Sequence, residues 1–440
     1  MDWLESRLPL RAFWAKHISG YRVPATLNVW YVFGLLALAA LAILGVSGVF
    51  LAMHYVPSGD EAHASVQRMA REVPWGWLLL QAHRVGASAI FVVLALHLWR
   101  GLMYGSYRRP RELVWLTGLA LMALMAAQAF TGQTLPWGQV SYWAAQVVTG
   151  LLGGLPGVGP DLLLWVRGDH TASGVTLTRF YALHVIVLPL LIGGMVVLHI
   201  VCLRVAGPSN PDGIDPAQQP LPTVPFHPHH TAHGLRALAI ALLLGAALVF
   251  FGPDLGGALG ALLHDPQNDL PANPMLTPDH IAPAWYFSPL FALLRATTPT
   301  LLIVFSVAVA LGAVWALWRG GLSDMGRARV LPVTAVSIVL LLVLDARFWG
   351  LAVLVGAVAL LAALPWLDRS PQRSLRHRPR WHSALYALLV LDVLLLGLCG
   401  QWPPSDTTLR LAQAGTLYYY GFFALMPLWS ARGRAPGGRP

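Results

Sequence analysis

Apolar runs long enough to cross a bilayer, about 20 residues each, alternate along this chain with polar connections rich in arginine. Ten spans are expected, at 30–53, 76–103, 112–132, 177–204, 234–252, 298–318, 329–345, 347–366, 383–400 and 409–430. The pattern predicts an all-α fold, a polytopic membrane helical bundle. Two connections are too long to be simple links. Residues 133–175 carry LPWGQVSYWAAQ and GPDLLLWVRGDH and read as short helices lying on the bundle. Residues 253–297 contain NPMLTPDHIAPAWYFSP, whose prolines break any continuous helix.

Composition agrees. The chain has 440 residues, is 56% hydrophobic and 11% charged, with a mean hydropathy of +0.61, which excludes a soluble globule. Its net charge of +10 does not point to nucleic acid, because the arginines sit beside the spans. Arg108, Arg109 and Arg111 follow the second span, and Arg204 and Arg236 flank the loop after the fourth. Arg319, Arg327 and Arg329 follow the sixth, Arg369, Arg373, Arg376, Arg378 and Arg380 the eighth, and Arg432, Arg434 and Arg439 lie in the tail. All share one side if both termini are cytoplasmic, as the positive-inside rule requires. The start, MDWLESRLPLRAFWAKHISGYRVP, shows no cleavable leader and suits a helix lying on the membrane surface, within an amphipathic segment, 1–29. Cys202 and Cys399 suggest neither a disulfide framework nor a metal cage, and the absence of Cys-x-x-Cys-His excludes c-type haem attachment.

The candidate chemistry lies in two spans. His83 and His97 are fourteen residues apart, and His184 and His199 fifteen. At 1.5 Å and 100° per residue, these pairs are separated by about 21 and 22 Å along the axis and turned only about 40° and 60° from a common face. If the helices pack antiparallel, the span count pairs His83 with His184 and His97 with His199. One such histidine is ordinarily a satisfied core residue. Four in two matched pairs, inside the membrane where ionisable groups are costly and usually functional, point to two stacked bis-histidine haems. Gly34 and Gly48 in the first span, and Gly118 and Gly132 in the third, repeat the spacing of fourteen. A glycine lets a flat macrocycle approach a helix backbone, although close helix packing also favours it.

The chain resembles cytochrome b, the haem-bearing subunit of the bacterial cytochrome bc complexes. The resemblance covers nearly all of it and rests on HRVGAS (83–88), HLWRGLMYGSYRRPRELVW (97–115), LPWGQVSYW (135–143) and RFYALH (179–184). It continues through SNPDG (209–213), FHP (226–228), NPMLTPDHIAPAWYFSP (273–289) and LPWLDRSP (364–371). It implies a respiratory quinol:cytochrome c reductase with two b-type haems. The low-potential haem would be held by His83 and His184 near the outer face, and the high-potential one by His97 and His199 near the inner face. Gly34, Gly48, Gly118 and Gly132 would clear the haems, and Arg100 and Arg179 would lie near their propionates. Quinol would be oxidised in an outer pocket built from the 135–148 helix and Pro283, Trp285 and Tyr286. Quinone would be reduced in an inner pocket near the N-terminal segment, the end of the fourth span and the start of the fifth. A Rieske iron–sulfur protein, a cytochrome c subunit, membrane lipid and a second copy of the complex are the implied partners.

The chain departs from that pattern at both pockets. Ala284 stands where the family has a glutamate, Ala144 where it has a glycine, Gln133 where it has a tyrosine and Leu80 where many members have an arginine. At the inner pocket Arg204 replaces a histidine, and His233 and Gly234 replace a Lys-Asp pair. Either the lost groups are relocated, with Asp279 or His280 serving the outer pocket and His229, His230 or His233 the inner one, or quinone chemistry is weakened. In the second case the chain would be a di-haem electron conduit for other redox partners. A transporter or structural subunit without redox chemistry is the third reading, and the paired histidines oppose it. His229 and His233, four apart, also suggest a metal, but such sites need three or four ligands with further support. The expected organisation is the surface segment 1–29, a four-span di-haem bundle at 30–205, a cytoplasmic loop at 206–233 and a C-terminal membrane domain at 234–440. The last includes the outer loop 253–297 and an extra hairpin, 298–345, beyond the family's usual eight spans.

Overall fold

The computed structural model of the protein describes residues 2–15, 19–215, 219–255, 260, 263–319 and 323–432. Arg434 and Arg439, expected on the arginine-rich side, lie outside the described residues. Among those residues nine helices are long and apolar enough to cross a membrane. Four come first: α1 (Phe33–His54), α3 (Gly76–Met103), α4 (Glu112–Thr134) and α7 (Gly174–Ala206). The short α2 (Ala62–Arg71), α5 (Gln139–Gly150) and α6 (Gly159–Arg167) lie in the connections. Then follow α8 (Thr231–Phe251), the short α9 (Ser288–Ala296), α10 (Pro299–Arg319), α11 (Asp324–Val343), α12 (Ala346–Leu367) and α13 (Arg380–Gln401). The tenth expected span forms α14 (Asp406–Ala424), which is outside the nine. Arg410 and Gln413 make it more polar than the others, and it earns its place through packing, with Phe422 and Phe423 in the core.

The first four spans form one bundle. Ala40, Ile90, Met125 and Ile192, one from each helix, are buried together at its middle. A larger core joins Leu102, Tyr107, Trp115 and Leu119, around the α3–α4 connection, to Leu293, Leu364, Tyr386, Leu396 and Phe423 of the C-terminal half. The connection is also tied electrostatically. Arg378 pairs with Asp368 at 2.6 Å, both fully buried, and Tyr107 donates a second bond of 2.6 Å to the same carboxylate oxygen. Burial alone would raise the Asp368 carboxyl, but Arg378 and the bonds it receives hold it below the ordinary range.

Two features were not foreseen from the pattern. The N-terminal segment is not one surface helix. It forms short turns at Asp2–Glu5 and Leu10–Trp14, then a strand, β1 (Arg22–Pro24). This strand pairs antiparallel with β2 (Thr223–Pro225), in the register Arg22 to Pro225 and Pro24 to Thr223. The second feature is in α7, where one π turn, Leu183–Val187, interrupts the α-helix. A π turn winds one additional residue into a single turn. That residue absorbs the difference between the fifteen-residue spacing of His184 and His199 and the fourteen of His83 and His97.

Candidate functional site

The bundle brings the four histidines together as two facing pairs. The rings of His83 and His184 have centroids 6.3 Å apart, and those of His97 and His199 6.4 Å. Two metal–imidazole bonds of about 2 Å, added to the roughly 1 Å from each ring centre to its nitrogen, span about 6 Å, so both gaps fit a single iron between the rings. The Nδ1 atoms are engaged elsewhere at three of the four positions. His83 Nδ1 lies 3.0 Å from Ser47 Oγ, His199 Nδ1 lies 3.0 Å from Thr117 Oγ1, and His184 Nδ1 donates to the Gln128 carbonyl at 2.8 Å. Such bonds fix the tautomer and leave Nε2 as the free ligand nitrogen. His97 Nδ1 is buried without a partner.

Each histidine is backed by one of the four glycines. A Cβ on Gly34 would sit 3.4 Å from His97 Cε1, on Gly48 3.3 Å from His83 Cε1, and on Gly118 3.2 Å from His199 Cε1. On Gly132 it would overlap the His184 ring. Glycine is needed here for the close approach of helix and imidazole. Beside the lower pair, Arg100 reaches Ser106 Oγ and Ser209 Oγ, each at 3.4 Å, and lies over the Tyr31 ring at 4.8 Å. Its Nε is buried without a partner, a donor available to an anionic group such as a propionate. Arg179 differs from this picture: it is exposed, and its guanidinium is bonded to the Trp165 carbonyl.

The end of the bundle that carries His83 and His184 opens into a cavity of about 660 Å³. Gly48, Gly132, Gln133, Pro283, Ala284, Trp285 and Tyr286 line it together with the two histidines. The Tyr286 ring stacks on Phe91 at 4.1 Å, Trp285 Nε1 donates to Ser88 Oγ at 3.3 Å, and the Pro283 carbonyl accepts from Gln401 Nε2 at 2.8 Å. Burial pushes the Tyr286 hydroxyl up to about 12, so it remains a neutral hydrogen-bonding group. Asp279 and His280 do not line the cavity. Asp279 is exposed, and His280 Nε2 sits 2.8 Å from the Gln401 carbonyl, bracing the loop. The loop instead sends in Leu263, His264, Asp265 and Asn268, which sequence reasoning did not single out because their distance from the histidines along the chain hides their proximity.

At the other end, His229 and His233 have ring centroids 5.0 Å apart, His229 and His230 5.1 Å, and Arg236 Nη2 lies 2.9 Å from His233 Nδ1. Among the described residues no group of three or more histidines, cysteines or carboxylates could hold a metal ion. Arg204 lies over the Tyr21 ring at 4.2 Å, and Trp14 meets His227 edge-on at 6.0 Å, so the N-terminal segment packs beside this cluster, whose His229 and His233 stay exposed.

The chain is similar to known proteins over nearly its whole length. Residues 18–207 match the family model described as cytochrome b/b6/petB, and residues 271–420 the one described as cytochrome b (C-terminal)/b6/petD. The chain is 39% identical over 441 residues to a cytochrome b of Allochromatium vinosum, covering 98% of this chain and 95% of that one. It is 37% identical over 429 residues to a cytochrome b of Rhodospirillum rubrum, covering 97% and 92%. A chain of a hyperthermophilic respiratory Complex III superimposes with a TM-score of 0.80 at 29% identity, covering 98% of each.

Proposed function

From the premise that this chain belongs to the cytochrome b family, we propose that it is the catalytic membrane subunit of a quinol:cytochrome c oxidoreductase carrying two b-type haems. His83 and His184 hold the low-potential haem, and His97 and His199 the high-potential one. The observation that carries this reading is the pair of facing imidazoles at each level, each backed by its own glycine. The haems supply one-electron redox chemistry across the bilayer. The chain's own residues do the rest. Ser47, Thr117 and the Gln128 carbonyl orient the imidazoles, and Arg100 offers positive charge beside the lower site. Trp285, Tyr286 and Pro283 shape the cavity at the His83 end, where quinol is oxidised. Quinone is reduced at the opposite end, near the N-terminal segment and the histidine cluster.

The protein is a multi-pass component of the bacterial inner membrane. The arginine-bearing connections and both termini face the cytoplasm, which puts the cavity on the outer side. A Rieske iron–sulfur protein docks over the loop that carries Pro283 to Tyr286, a cytochrome c subunit takes the electrons onward, and two copies of the complex pair within the lipid. The four-span unit 30–205 is the di-haem domain, and 234–440, with the hairpin α10–α11, is the C-terminal membrane domain.

A second reading is favoured by one specific observation. Ala284 presents only a methyl group to the cavity, so the position cannot accept a proton, and the chain would serve as a di-haem conduit for other redox partners. Quinol-driven haem reduction in the purified complex separates the two. The expected result is two b haems per chain, both reduced by quinol, with reduction abolished by an inhibitor of the outer cavity. Two haems reducible by dithionite but not by quinol would establish the conduit, and a haem-free protein would end both readings.

A further inference from the structure

The outer cavity contains few groups able to take up a proton. Besides His83 and His184, its titratable lining is Arg84, Tyr55, Tyr181, Tyr286, His264 and Asp265. Arginine stays charged and tyrosine stays protonated at neutral pH. Tyr55 is further committed, donating to the Leu135 carbonyl at 2.7 Å. Asp265 shapes its own loop, accepting from Gln267 N at 2.9 Å at the start of the turn Pro266–Asp269. His264 is different. Its Nε2 lies 2.9 Å from Asp269 Oδ1. An ionised carboxylate only accepts hydrogen bonds, so this contact places the ring proton on Nε2 and leaves Nδ1 with its lone pair.

The pair also bridges the cavity to water. The His264 side chain is 28% exposed and that of Asp269 54%. The supporting loop is fixed to the N-terminus of α5. Asn268 Oδ1 accepts from Ser141 N at 3.0 Å, Gln139 N donates to the Leu270 carbonyl at 3.1 Å, and Ala272 N donates to the Trp137 carbonyl at 3.0 Å. The charged groups facing the pair are Arg84 of α3, whose guanidinium is in electrostatic reach of Asp269, and Asp265 of the loop itself.

We propose that His264, positioned by Asp269, is the base that accepts a proton from a quinol bound in this cavity and releases it to the outer water. The inference rests on the reading of the cavity as the quinol-oxidising site. A quinol O–H bond breaks, its bonding pair stays on oxygen, and the proton bonds to His264 Nδ1. No electron moves in this step: it leaves a quinolate monoanion and a His264 imidazolium, and oxidation of that anion, with loss of its remaining hydroxyl proton, would fall to the one-electron acceptors of that reading. The imidazolium then loses its Nε2 proton to water beside the exposed Asp269 carboxylate, and the proton left on Nδ1 exchanges through that water before the Nε2–H contact with Asp269 re-forms.

The test uses the intact complex with His264→Gln, Asp269→Asn and the double variant His264→Gln/Ala284→Glu. Haem spectra after dithionite establish assembly, and inhibitor-sensitive reduction of the b haems by quinol is followed across pH. His264→Gln is expected to lower the rate about 100-fold, the usual worth of a positioned base, and to lack the rise of rate with pH expected of the parent. Asp269→Asn, on an exposed side chain, is expected to lower the rate less and to displace that rise, and it keeps the test open should the histidine variant assemble poorly. The carboxylate of the double variant, at another position lining the cavity, is expected to recover much of the rate. An unchanged rate and pH profile in His264→Gln and Asp269→Asn overturns the inference, as does a double variant with normal haem spectra and no recovery. Absence of inhibitor-sensitive reduction in the parent complex overturns the reading beneath it instead.

Discussion

The two ends of the four-span bundle are built alike at their centre and unalike at their edge. Each has a facing histidine pair at almost the same separation, 6.3 and 6.4 Å, and each pair is backed by one glycine of α1 and one of α4, Gly48 and Gly132 at one end and Gly34 and Gly118 at the other. Outside that frame the resemblance stops. The His83 end opens into a large aromatic-walled cavity closed by the loop before α9. The His97 end holds Arg100, the serines it touches and a largely exposed histidine cluster beside the N-terminal segment. The imidazole frame is constrained by helix geometry and by the size of what it must hold. The periphery is built from connections, where a substitution disturbs little packing and chemistry can move from one residue to another.

The glycines offer the most forceful way to break this symmetry. Valine at Gly132 would place branched carbons in the His184 ring, and the expected outcome is loss of the haem signal from the His83 end and of quinol-driven reduction altogether. Alanine at Gly118 needs only a few tenths of an ångström of adjustment from His199, so both haems should persist with a small spectral shift. Redox-titrated difference spectra distinguish the two, and equal damage from both would show that the ends are equally tight. A smaller effect is expected from Arg378→Ala, which leaves Asp368 charged and unpaired in the core. Breaking such a pair costs about 3–5 kcal/mol, visible as a lower temperature of haem release in detergent. The sign with pH follows from the depressed Asp368 carboxyl. Its contribution is present above the unfolded value of about 4 and is lost as pH falls through the lower folded value, so the variant and the parent should converge in strong acid. The least severe change is Arg100→Leu. Removing positive charge near the lower site favours the oxidised haem, and its midpoint should fall by on the order of a few tens of millivolts while the other haem stays put.

The histidines and glycines were legible in the sequence because a helix converts spacing into direction with little interference from the rest of the chain. Fourteen residues return nearly to the same face whatever surrounds them. The fifteen-residue spacing of His184 and His199 was the discordant term, and its resolution, a π turn at Leu183–Val187, depends on how α7 packs rather than on any local signal. The pairing of Arg22–Pro24 with Thr223–Pro225 joins segments about 200 positions apart, and no short-range pattern announces it. The same limit applies to the cavity wall. Asp279 and His280 are close in sequence to Tyr286, yet the loop turns them away, while His264 reaches the cavity because Asn268 and Leu270 are held against α5. Proximity along a proline-rich loop is a poor guide to proximity in space.

Ala40, Ile90, Met125 and Ile192 occupy the level midway between the two histidine pairs. They form a dielectric. None of these four side chains can carry a proton, so on the proposed reading charge passes this layer by tunnelling between the haems on either side. An electron that does so against the membrane potential performs electrical work of up to about 2.3 kcal/mol for each 100 mV. Four small or aliphatic side chains thereby act as the insulator of a capacitor, and a polar group introduced among them would discharge it.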